Sequence, residues 1–344
     1  MVIRAMAAAD LPAVVEIWAA QRSQALASGG EPGGLRSLHE RRALAEARFR
    51  SGFDGNGEKL RALVAERDVK AVAYLIGRDV RLPRGSTYLT YVPEQFLNVG
   101  ADDWGAATAA DSSSLADLYA ALASWVVSRG AGTHLVAIEP GADGAELWAD
   151  LGFARQDSYA YLPLELVRAG APDPAVRRAT VADLDAAAEL IIAEARYHHE
   201  PPIFAYAPPG LEEAKRRDMA ESLEEGDSFV LVAEVNGAVV GAINAYYLAD
   251  PPFWAATAVP TPCIYIDSAF VRPEARGLGV LRSLVAGLAG AAPAGTAGLF
   301  VTYLPANFVA ARAWRGLGFR PFALIHQRRL DPRVVRQRRG GARA

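Results

Sequence analysis

The sequence predicts a mixed α+β protein, in which a mostly antiparallel sheet carries flanking helices and one fold occurs twice. LVAERDVKAVAYLIG begins at Leu63, and LVAEVNGAVVGAINA begins 168 residues later at Leu231. LWADLGFA around Trp148 matches AWRGLGFR around Trp314, 166 residues later. The openings VIRAMAAADLPAVVEI and VRRATVADLDAAAELI agree as well. Three matches in the same order, two of them at nearly equal spacing, indicate a duplicated fold.

The chain of 344 residues is long enough for two domains. The stretch VRAGAPDPAV predicts the linker between them, because its Gly and Pro residues interrupt both helical and strand periodicity. We therefore expect one domain over residues 1–168 and another over 175–330. Residues 331–344 form a basic tail, which we expect to be solvated and flexible, as chain termini usually are. Such a tail could also contact an acidic partner.

Each copy begins with a short strand and a helix. Asp10 precedes LPAVVEIW, and Asp183 precedes LDAAAELI. An aspartate at such a position can accept a backbone N–H at the start of a helix, and Pro12 suits a first helical turn. Both stretches therefore predict a helix start.

The later elements are clearest in the second copy. VNGA between SFVLVAE and AVVGAINAYY predicts a two-residue hairpin, because Asn-Gly favours that turn. We then expect a strand in CIYIDSAFV, a helix from about Gly279, a strand in GLFVTYL, a helix from Pro305 and a last strand near FALIHQRRL. The wholly apolar strand GLFVTYL predicts a sheet that is covered on both faces.

Composition argues against several classes of function. The formal net charge is −3, so no overall positive field favours nucleic acid. The single cysteine, Cys263, excludes a disulfide within the chain and a cysteine-built zinc site, and it fits a reducing cytoplasm. Leu284–Ala311 contains no charged residue, but its Gly and Pro residues argue against a membrane helix. We expect a cytoplasmic protein that binds neither nucleic acid nor membrane.

The stretch VRPEARGLGVL, from Val271 to Leu281, is a basic glycine turn between a strand and a helix. Unpaired N–H groups and the helix dipole favour an anion at such a helix start. Gly277 and Gly279 permit positive φ, and Arg276 offers forked donors that suit phosphate. From these residues alone, a pyrophosphate site and a plain strand-to-helix corner are both open.

The surrounding order of motifs resembles the GNAT superfamily of acyl-CoA-dependent N-acyltransferases. VRPEARGLG resembles the coenzyme A loop of that family. The later helix matches the family spacing at Asn307, Ala310, Trp314, Gly318 and Phe319. The resemblance covers residues 176–330 and extends more faintly over the first half. It implies two tandem GNAT-like domains.

The resemblance also implies a binding site for acetyl-CoA or another acyl-CoA as co-substrate, without a metal. Strand backbone would pair with the pantetheine arm, helix-start amides would hold the pyrophosphate, and an asparagine would contact the pantetheine region or cap its own helix. The implied coenzyme-binding residues are Phe270, Val271, Arg276, Gly277, Leu278, Gly279, Val280, Leu281 and Asn307.

Two positions depart from the family pattern. Leu281 stands where the family prefers Gly or Ala beside the phosphate. Trp314 stands where members often have a tyrosine that protonates the leaving thiolate, and an indole N–H cannot act as a general acid at neutral pH. The proton would then come from elsewhere, such as water or Tyr303.

Asp267 is the predicted catalytic base, since an ammonium nucleophile must lose a proton before it attacks a thioester. It lies within the apolar strand CIYIDSAFV, and period-two counting puts it on one face with Tyr265 and Val271. The alternatives are a structural ion pair and a binding site for the substrate ammonium. His198 and the adjacent His199 are not expected to share a metal, because neighbouring helical residues point in different directions. We expect them to form a loop or pocket wall, with a catalytic role as the alternative.

The first half lacks the R-G-x-G turn, so we expect a degenerate GNAT-like domain without a coenzyme site. Its aspartates Asp102, Asp103 and Asp111 are expected near a helix start, where they would repel a pyrophosphate.

The sequence thus predicts an N-acyltransferase that acts on an amine of a small molecule or peptide. A catalytically silent acyl-CoA-binding or scaffold protein is the alternative.

Overall fold

The structure is a computed structural model that describes residues 1–27, 33–54, 57–167, 176–226, 228–250 and 257–341. In the first half the strands and helices are β1 Val2–Ala5, α1 Leu11–Ala27, α2 Leu38–Asp54, β2 Leu60–Arg67, β3 Lys70–Arg81, β4 Gln95–Val99, β5 Trp104–Ala106, α3 Ser113–Ser128, β6 Thr133–Ile138, α4 Ala145–Asp150 and β7 Ala154–Pro163. In the second half they are β8 Val176–Arg178, α5 Leu184–His199, α6 Leu211–Glu224, β9 Ser228–Val235, β10 Ala238–Leu248, β11 Cys263–Val271, α7 Val280–Ala291, β12 Gly298–Tyr303, α8 Phe308–Leu317, β13 Arg320–Arg329 and α9 Pro332–Gly341.

The mixed, mostly antiparallel sheet predicted from the sequence is present. Thirteen strands form one sheet in the order β1-β2-β3-β4-β6-β13-β7-β12-β11-β10-β9-β8, with β5 paired to β3. Only the pairs β4–β6 and β11–β12 are parallel among the described strands. The same arrangement occurs in both halves, as the sequence repeat indicates.

The last strands of the two halves are interleaved. β13 of the second half lies between β6 and β7 of the first half, and β7 in turn pairs with β12 of the second half. Hydrogen bonds of the sheet therefore cross between the halves three times. The predicted domain limits at 168 and 175 lie outside the described residues, so that division stays a prediction. The interleaving nevertheless makes the two halves one continuous sheet.

The repeat extends to the same ion pairs at the start of each half. Arg4 donates two hydrogen bonds of 2.7 Å to Asp10, whose carboxylate accepts the Ala7 amide at 2.8 Å. In the second half, Arg177 donates bonds of 2.8 and 2.7 Å to Asp183. Each aspartate thus holds the turn that precedes its helix, and the arginine lowers the pKa of the carboxyl group.

The local predictions in the second half are confirmed. Asn236 and Gly237 both have positive φ, of 51° and 76°, and join β9 to β10 in the expected two-residue turn. β12 is covered on both faces: Leu299 and Val301 pack beneath α7 and α8, whereas Phe300 packs into a cluster that both halves share. The apolar run therefore reflects burial on two sides.

The predicted position of the first-half aspartates is wrong for two of the three. Asp102 and Asp103 are fully buried. Asp103 pairs with Arg48 at 2.9 Å, and Asp102 lies 3.7 Å from Arg41. Arginine charges therefore neutralise both carboxylates inside the first half, and only Asp111 lies in the turn before α3. The absence of a coenzyme site from this half stays a prediction.

The tail is helical over most of its length, and its flexibility stays a prediction. Residues Pro332–Gly341 form α9, and Val335 packs against the core cluster of the first half. Residues 342–344 of the tail lie outside the described ranges. Among the described helices, none is long and apolar enough to cross a membrane.

Candidate active site

A cavity of about 460 Å³ lies between β11, β12, α5, α7 and α8. Its volume falls within the range of small-molecule sites. Of the ten residues predicted for the site, only Leu278 is absent from the lining, and its side chain is 70% exposed. The other nine line the cavity together: Asp267, Phe270, Val271, Arg276, Gly277, Gly279, Val280, Leu281 and Asn307.

Asp267 is the extra residue of a β-bulge. Along the pair of β10 and β11, Ala245 lies opposite Ile266 and Asn244 lies opposite Ser268, so Asp267 has no counterpart. A bulge turns a side chain out of the regular alternation of a strand. Among the described residues, no side chain forms a hydrogen bond or ion pair with the Asp267 carboxylate, which lines the cavity.

Because of the bulge, the prediction that Tyr265 and Val271 lie on one face of β11 is wrong. Period-two counting put Tyr265 and Val271 on one face. The bulge adds one residue and reverses the alternation, so Tyr265 packs into the cluster shared by the halves whereas Val271 packs beneath α7. Only the tertiary pairing of β10 with β11 reveals this change.

β11 and β12 diverge beside the bulge. The two parallel strands pair only over Ile264–Ile266 and Leu299–Val301. Residues 267–271 of β11 therefore have one edge that faces the cavity instead of a neighbouring strand. Unpaired edge backbone can bind an extended ligand as an added strand.

The glycine turn leads into α7 in a conformation that requires glycine. Gly277 and Gly279 have φ of 79° and 81°, and Gly279 is the N-cap of α7. A side chain at either position would meet no neighbouring atom within 4 Å, so backbone conformation rather than space selects glycine. The first amides of α7, from Val280 onward, begin at the cavity wall. This end of the helix favours an anion.

Arg276 is exposed and lies between two aromatic rings. Its guanidinium carbon is 5.4 Å from the Phe270 ring centre and 5.8 Å from that of Tyr197. Its Nε donates to the Val271 carbonyl at 3.1 Å. These contacts orient the guanidinium over the cavity mouth, with the remaining N–H donors available to a ligand.

Asn307 performs the capping role and also contacts the histidine pair. Its Oδ1 accepts the Ala310 amide at 3.0 Å, and its Nδ2 lies 3.1 Å from Nε2 of His198. Since the amide nitrogen is a donor, Nε2 accepts and Nδ1 of the neutral ring carries the proton. Nδ1 lies 3.0 Å from the hydroxyl of Tyr91, a residue of the first half. Burial lowers the pKa of His198 to about 4, so the ring is neutral.

His198 therefore lies in the pocket wall, as expected, whereas His199 lines a different cavity.

The two positions that depart from the family pattern both line the site. Trp314 is 5% exposed and packs against Phe319, and Leu281 lies in the same lining. The hydroxyl of Tyr303 has no hydrogen-bond partner in the described part of the chain. The Tyr303 O–H group is therefore a buried donor at the cavity, and no described residue accepts its hydrogen bond.

Glu194 of α5 is a site residue that the sequence analysis missed. It lines the cavity together with Ala269 of the free edge of β11. Burial, helped by the charge of Asp267, raises the pKa of Glu194 to about 8. The apolar periodicity of α5 could have revealed Glu194. Leu190, Ile191 and His198 are buried on one face of this helix, and the helical spacing puts Glu194 on the same face.

The region around this cavity matches a known family. Residues 193–319 match the model of the acetyltransferase (GNAT) family. Residues 193–319 form a GNAT domain. The matched region includes Glu194, the bulge, the glycine turn and α8, so the family motif and the observed cavity coincide.

One solved structure extends the GNAT fold over the rest of the chain, and two others are reported beside it. A GCN5-related N-acetyltransferase from Sphaerobacter thermophilus is 18% identical, with a TM-score of 0.54 and 95% of each chain covered. A tandem GNAT protein from the clavulanic acid biosynthesis pathway is 15% identical, with a TM-score of 0.46, and the match covers 95% of this chain and 98% of that one. An aminoglycoside N-acetyltransferase in complex with CoA is 18% identical, with a TM-score of 0.32, covering 42% of this chain and 90% of that one. No curated protein matches the sequence. The likeness to the Sphaerobacter thermophilus protein concerns the fold, which therefore spans both halves.

Proposed function

We propose that the protein is an acyl-CoA-dependent N-acyltransferase, with acetyl-CoA as donor and an amine of a small molecule or peptide as acceptor. The observation that carries this proposal is the convergence of three features on one cavity. They are the free edge of β11, the glycine turn at the start of α7 and the Asp267 carboxylate. A GNAT reaction needs an arm-binding edge, a pyrophosphate site and a base, and these three features supply them.

The coenzyme would lie along the cavity between β11 and α8. Backbone of Phe270 and Val271 would pair with the pantetheine amides. The turn from Arg276 to Leu281 would hold the pyrophosphate through backbone N–H groups and the guanidinium. The Asn307 side chain, oriented by its cap and by His198, would face the pantetheine region.

The reaction would proceed by direct attack. Asp267 takes a proton from the bound ammonium, and the free amine attacks the thioester carbon. Strand amides near Phe270 stabilise the oxyanion. When the oxyanion collapses, the C–S bond breaks and the attacking nitrogen loses its second proton to water, which gives the neutral amide. Trp314 cannot donate a proton to the sulfur. Because a thiolate is a good leaving group, a proton from water suffices to release CoA as the free thiol.

Calorimetric titration of acetyl-CoA, followed by a free-thiol assay over a broad panel of amines, tests this function. We expect one binding site per chain and release of thiol that depends on the amine. Binding without turnover across the panel would favour the scaffold alternative. Lack of binding would overturn the acyltransferase proposal and favour a scaffold, because acyl transfer needs the coenzyme at the glycine turn. A second binding site would show that the first half also holds a coenzyme.

Glu194→Gln is expected to change acceptor binding only at high pH. The Glu194 carboxyl group is mostly neutral at roughly pH 6.5 and mostly charged at roughly pH 9, since its pKa is about 8. Glutamine is neutral at both values. The variant should therefore raise the amine KM by on the order of tenfold at the higher pH and by less than about twofold at the lower one. Steady-state kinetics with an amine that stays protonated at both pH values measures this.

Glu221→Gln on α6 is the matched control, because that side chain is exposed. It should leave KM unchanged at both pH values. An equal effect of Glu194→Gln at the two pH values would contradict the assigned ionisation.

A further inference from the structure

A segment of the first half contacts the wall of the cavity in the second half. A short helical turn, Thr87–Thr90, leads to Tyr91, whose hydroxyl lies 3.0 Å from Nδ1 of His198. The two rings meet edge to face, with their centres 5.9 Å apart. Tyr91 therefore contacts a side chain of the cavity lining, although it comes from the half that lacks the glycine turn.

The backbone around Tyr91 is hydrogen-bonded to both halves. The side chain of Gln156, in β7, donates to the Tyr91 carbonyl at 3.0 Å. The Tyr91 amide donates to the Tyr88 carbonyl at 3.0 Å, which closes the short helical turn. From the second half, the Tyr206 amide donates to the Thr90 carbonyl at 3.2 Å. These bonds fix the place from which the hydroxyl reaches the histidine.

The helix cap at Asn307 decides the direction of every hydrogen bond in this contact. The Ala310 amide can only donate, so Oδ1 of Asn307 must face it, at 3.0 Å. Nδ2 then faces Nε2 of His198 at 3.1 Å, and Nε2 accepts. Nδ1 carries the ring proton and donates it to the Tyr91 oxygen. The hydrogen bonds therefore run in one direction, from Asn307 through His198 to Tyr91.

Other arrangements of these groups oppose two donors. A proton on Nε2 of His198 would face the N–H group of Asn307, and a turned Asn307 amide would face the Ala310 N–H group. A buried donor without an acceptor is costly. The Tyr91 hydroxyl favours the working tautomer, because it accepts from Nδ1. Burial raises the pKa of Tyr91 and lowers that of His198 to about 4, so both groups are neutral.

The Asn307 side chain keeps one N–H group for a ligand. Asn307 is 6% exposed and lines the cavity. Among the described residues, its side chain forms hydrogen bonds only with the Ala310 amide and with His198. The amide nitrogen carries two hydrogens, and only one of them is used by the histidine. A ligand atom that pairs with the other must be an acceptor, such as an amide carbonyl of pantetheine.

The same hydrogen bonds argue against His198 as a catalytic base. The lone pair of Nε2 accepts from Asn307, and Nδ1 carries a proton that Tyr91 accepts. Neither ring nitrogen is free to take a proton from the acceptor amine. His198 therefore acts on the orientation of its neighbour and not on the reacting atoms.

We infer that Tyr91 and His198 are positioning residues, which hold the Asn307 amide with its free N–H group toward the pantetheine arm of acyl-CoA. The first half supplies Tyr91, so it takes part in the coenzyme site of the second half. This inference rests on the proposed function, whose coenzyme it needs, and adds a role for the first half.

Calorimetric binding of two ligands tests the inference: acetyl-CoA, and 3′-phosphoadenosine 5′-diphosphate, which lacks the pantetheine arm. Tyr91→Phe should weaken acetyl-CoA binding about fivefold and His198→Leu about tenfold or more, because hydrogen bonds that orient the amide are lost. Binding of the fragment should stay within about twofold of wild type. His198→Gln offers an amide oxygen near the place of Nε2 and should recover part of the loss.

Nitrogen-15 NMR of the histidine rings tests the tautomer directly. The His198 signals are those that are missing from the spectrum of His198→Gln. The wild type should show the proton on Nδ1, and Tyr91→Phe should raise the population with the proton on Nε2. A wild-type ring with its proton on Nε2 would overturn the inference, because that ring cannot accept from Asn307.

Tyr206→Phe is the matched control, since this neighbouring tyrosine is 61% exposed, and it should change neither affinity. Unchanged acetyl-CoA affinity in Tyr91→Phe would overturn the inference, as would equal losses for both ligands. If acetyl-CoA binds with the expected differences but no amine yields thiol, the proposed reaction fails and the positioning role stands. Failure of the wild type to bind acetyl-CoA would overturn both.

Discussion

Arg276→Glu is expected to weaken acetyl-CoA binding by about 30-fold or more. The wild-type guanidinium is held between Phe270 and Tyr197 and bonded to the Val271 carbonyl, so it faces the turn in a defined orientation. The substitution removes a cation and its forked donors and places an anion beside the pyrophosphate. Charge-assisted hydrogen bonds contribute about 1.5–3 kcal/mol each, and loss of one with added repulsion accounts for the expected change. Calorimetric titration of acetyl-CoA measures it.

Two further variants define the cause of that loss. Arg276→Lys keeps the charge but lacks the planar fork, so an intermediate loss is expected. Arg50→Glu reverses an exposed charge on α2 and should leave acetyl-CoA affinity within about twofold of wild type, because that residue lies in the other half. Unchanged affinity in Arg276→Glu would mean that the glycine turn is only a structural corner.

Asp267→Asn is expected to lower kcat by about 100-fold or more and to leave acetyl-CoA affinity nearly unchanged. The bulge directs this carboxylate into the cavity, and no side chain among the described residues neutralises it. General-base catalysis contributes about 10²–10⁴-fold, and asparagine cannot take a proton. Because the side chains have the same shape, packing of the bulge should persist. Single-turnover thiol release and calorimetric binding separate the two effects.

The amine KM distinguishes catalysis from substrate binding at Asp267. If the residue only anchors the ammonium, Asp267→Asn would raise KM and leave kcat at saturating amine close to wild type. Asp117→Asn, an exposed change on α3, serves as the matched control and should alter neither constant. A wild-type kcat in Asp267→Asn would exclude this residue as the base and would direct attention to Glu194.

Local conformations could be predicted from the sequence because each depends on a few adjacent residues. Asn236-Gly237 forms the expected hairpin turn, since both residues adopt positive φ readily. Gly279 likewise adopts positive φ readily, and it ends the glycine turn at the start of α7. The resemblance to the GNAT family implied that the turn and Asn307 belong to one site, and these residues line one cavity together.

Long-range pairing produced the features that sequence reasoning missed. The bulge at Asp267 exists only relative to β10, so counting along β11 alone put Tyr265 on the wrong face. Glu194 belongs to a helix whose apolar stripe was visible, but its place in the cavity wall beside Ala269 depends on how α5 packs. The contact of Val335 in the tail with the core of the first half likewise joins segments that are distant in the sequence.

By itself, the sequence determined that the chain has a duplicated α+β fold, a glycine turn that can hold an anion and a carboxylate in the neighbouring strand. These properties follow from backbone preferences and short spacings, which act within a single segment. Only the tertiary structure decided that β13 lies between β6 and β7 and that Tyr91 of the first half bonds to His198 at the site of the second half. Such neighbours are separated by many residues in the chain, and their meeting depends on the hydrogen-bond register and packing of the whole sheet.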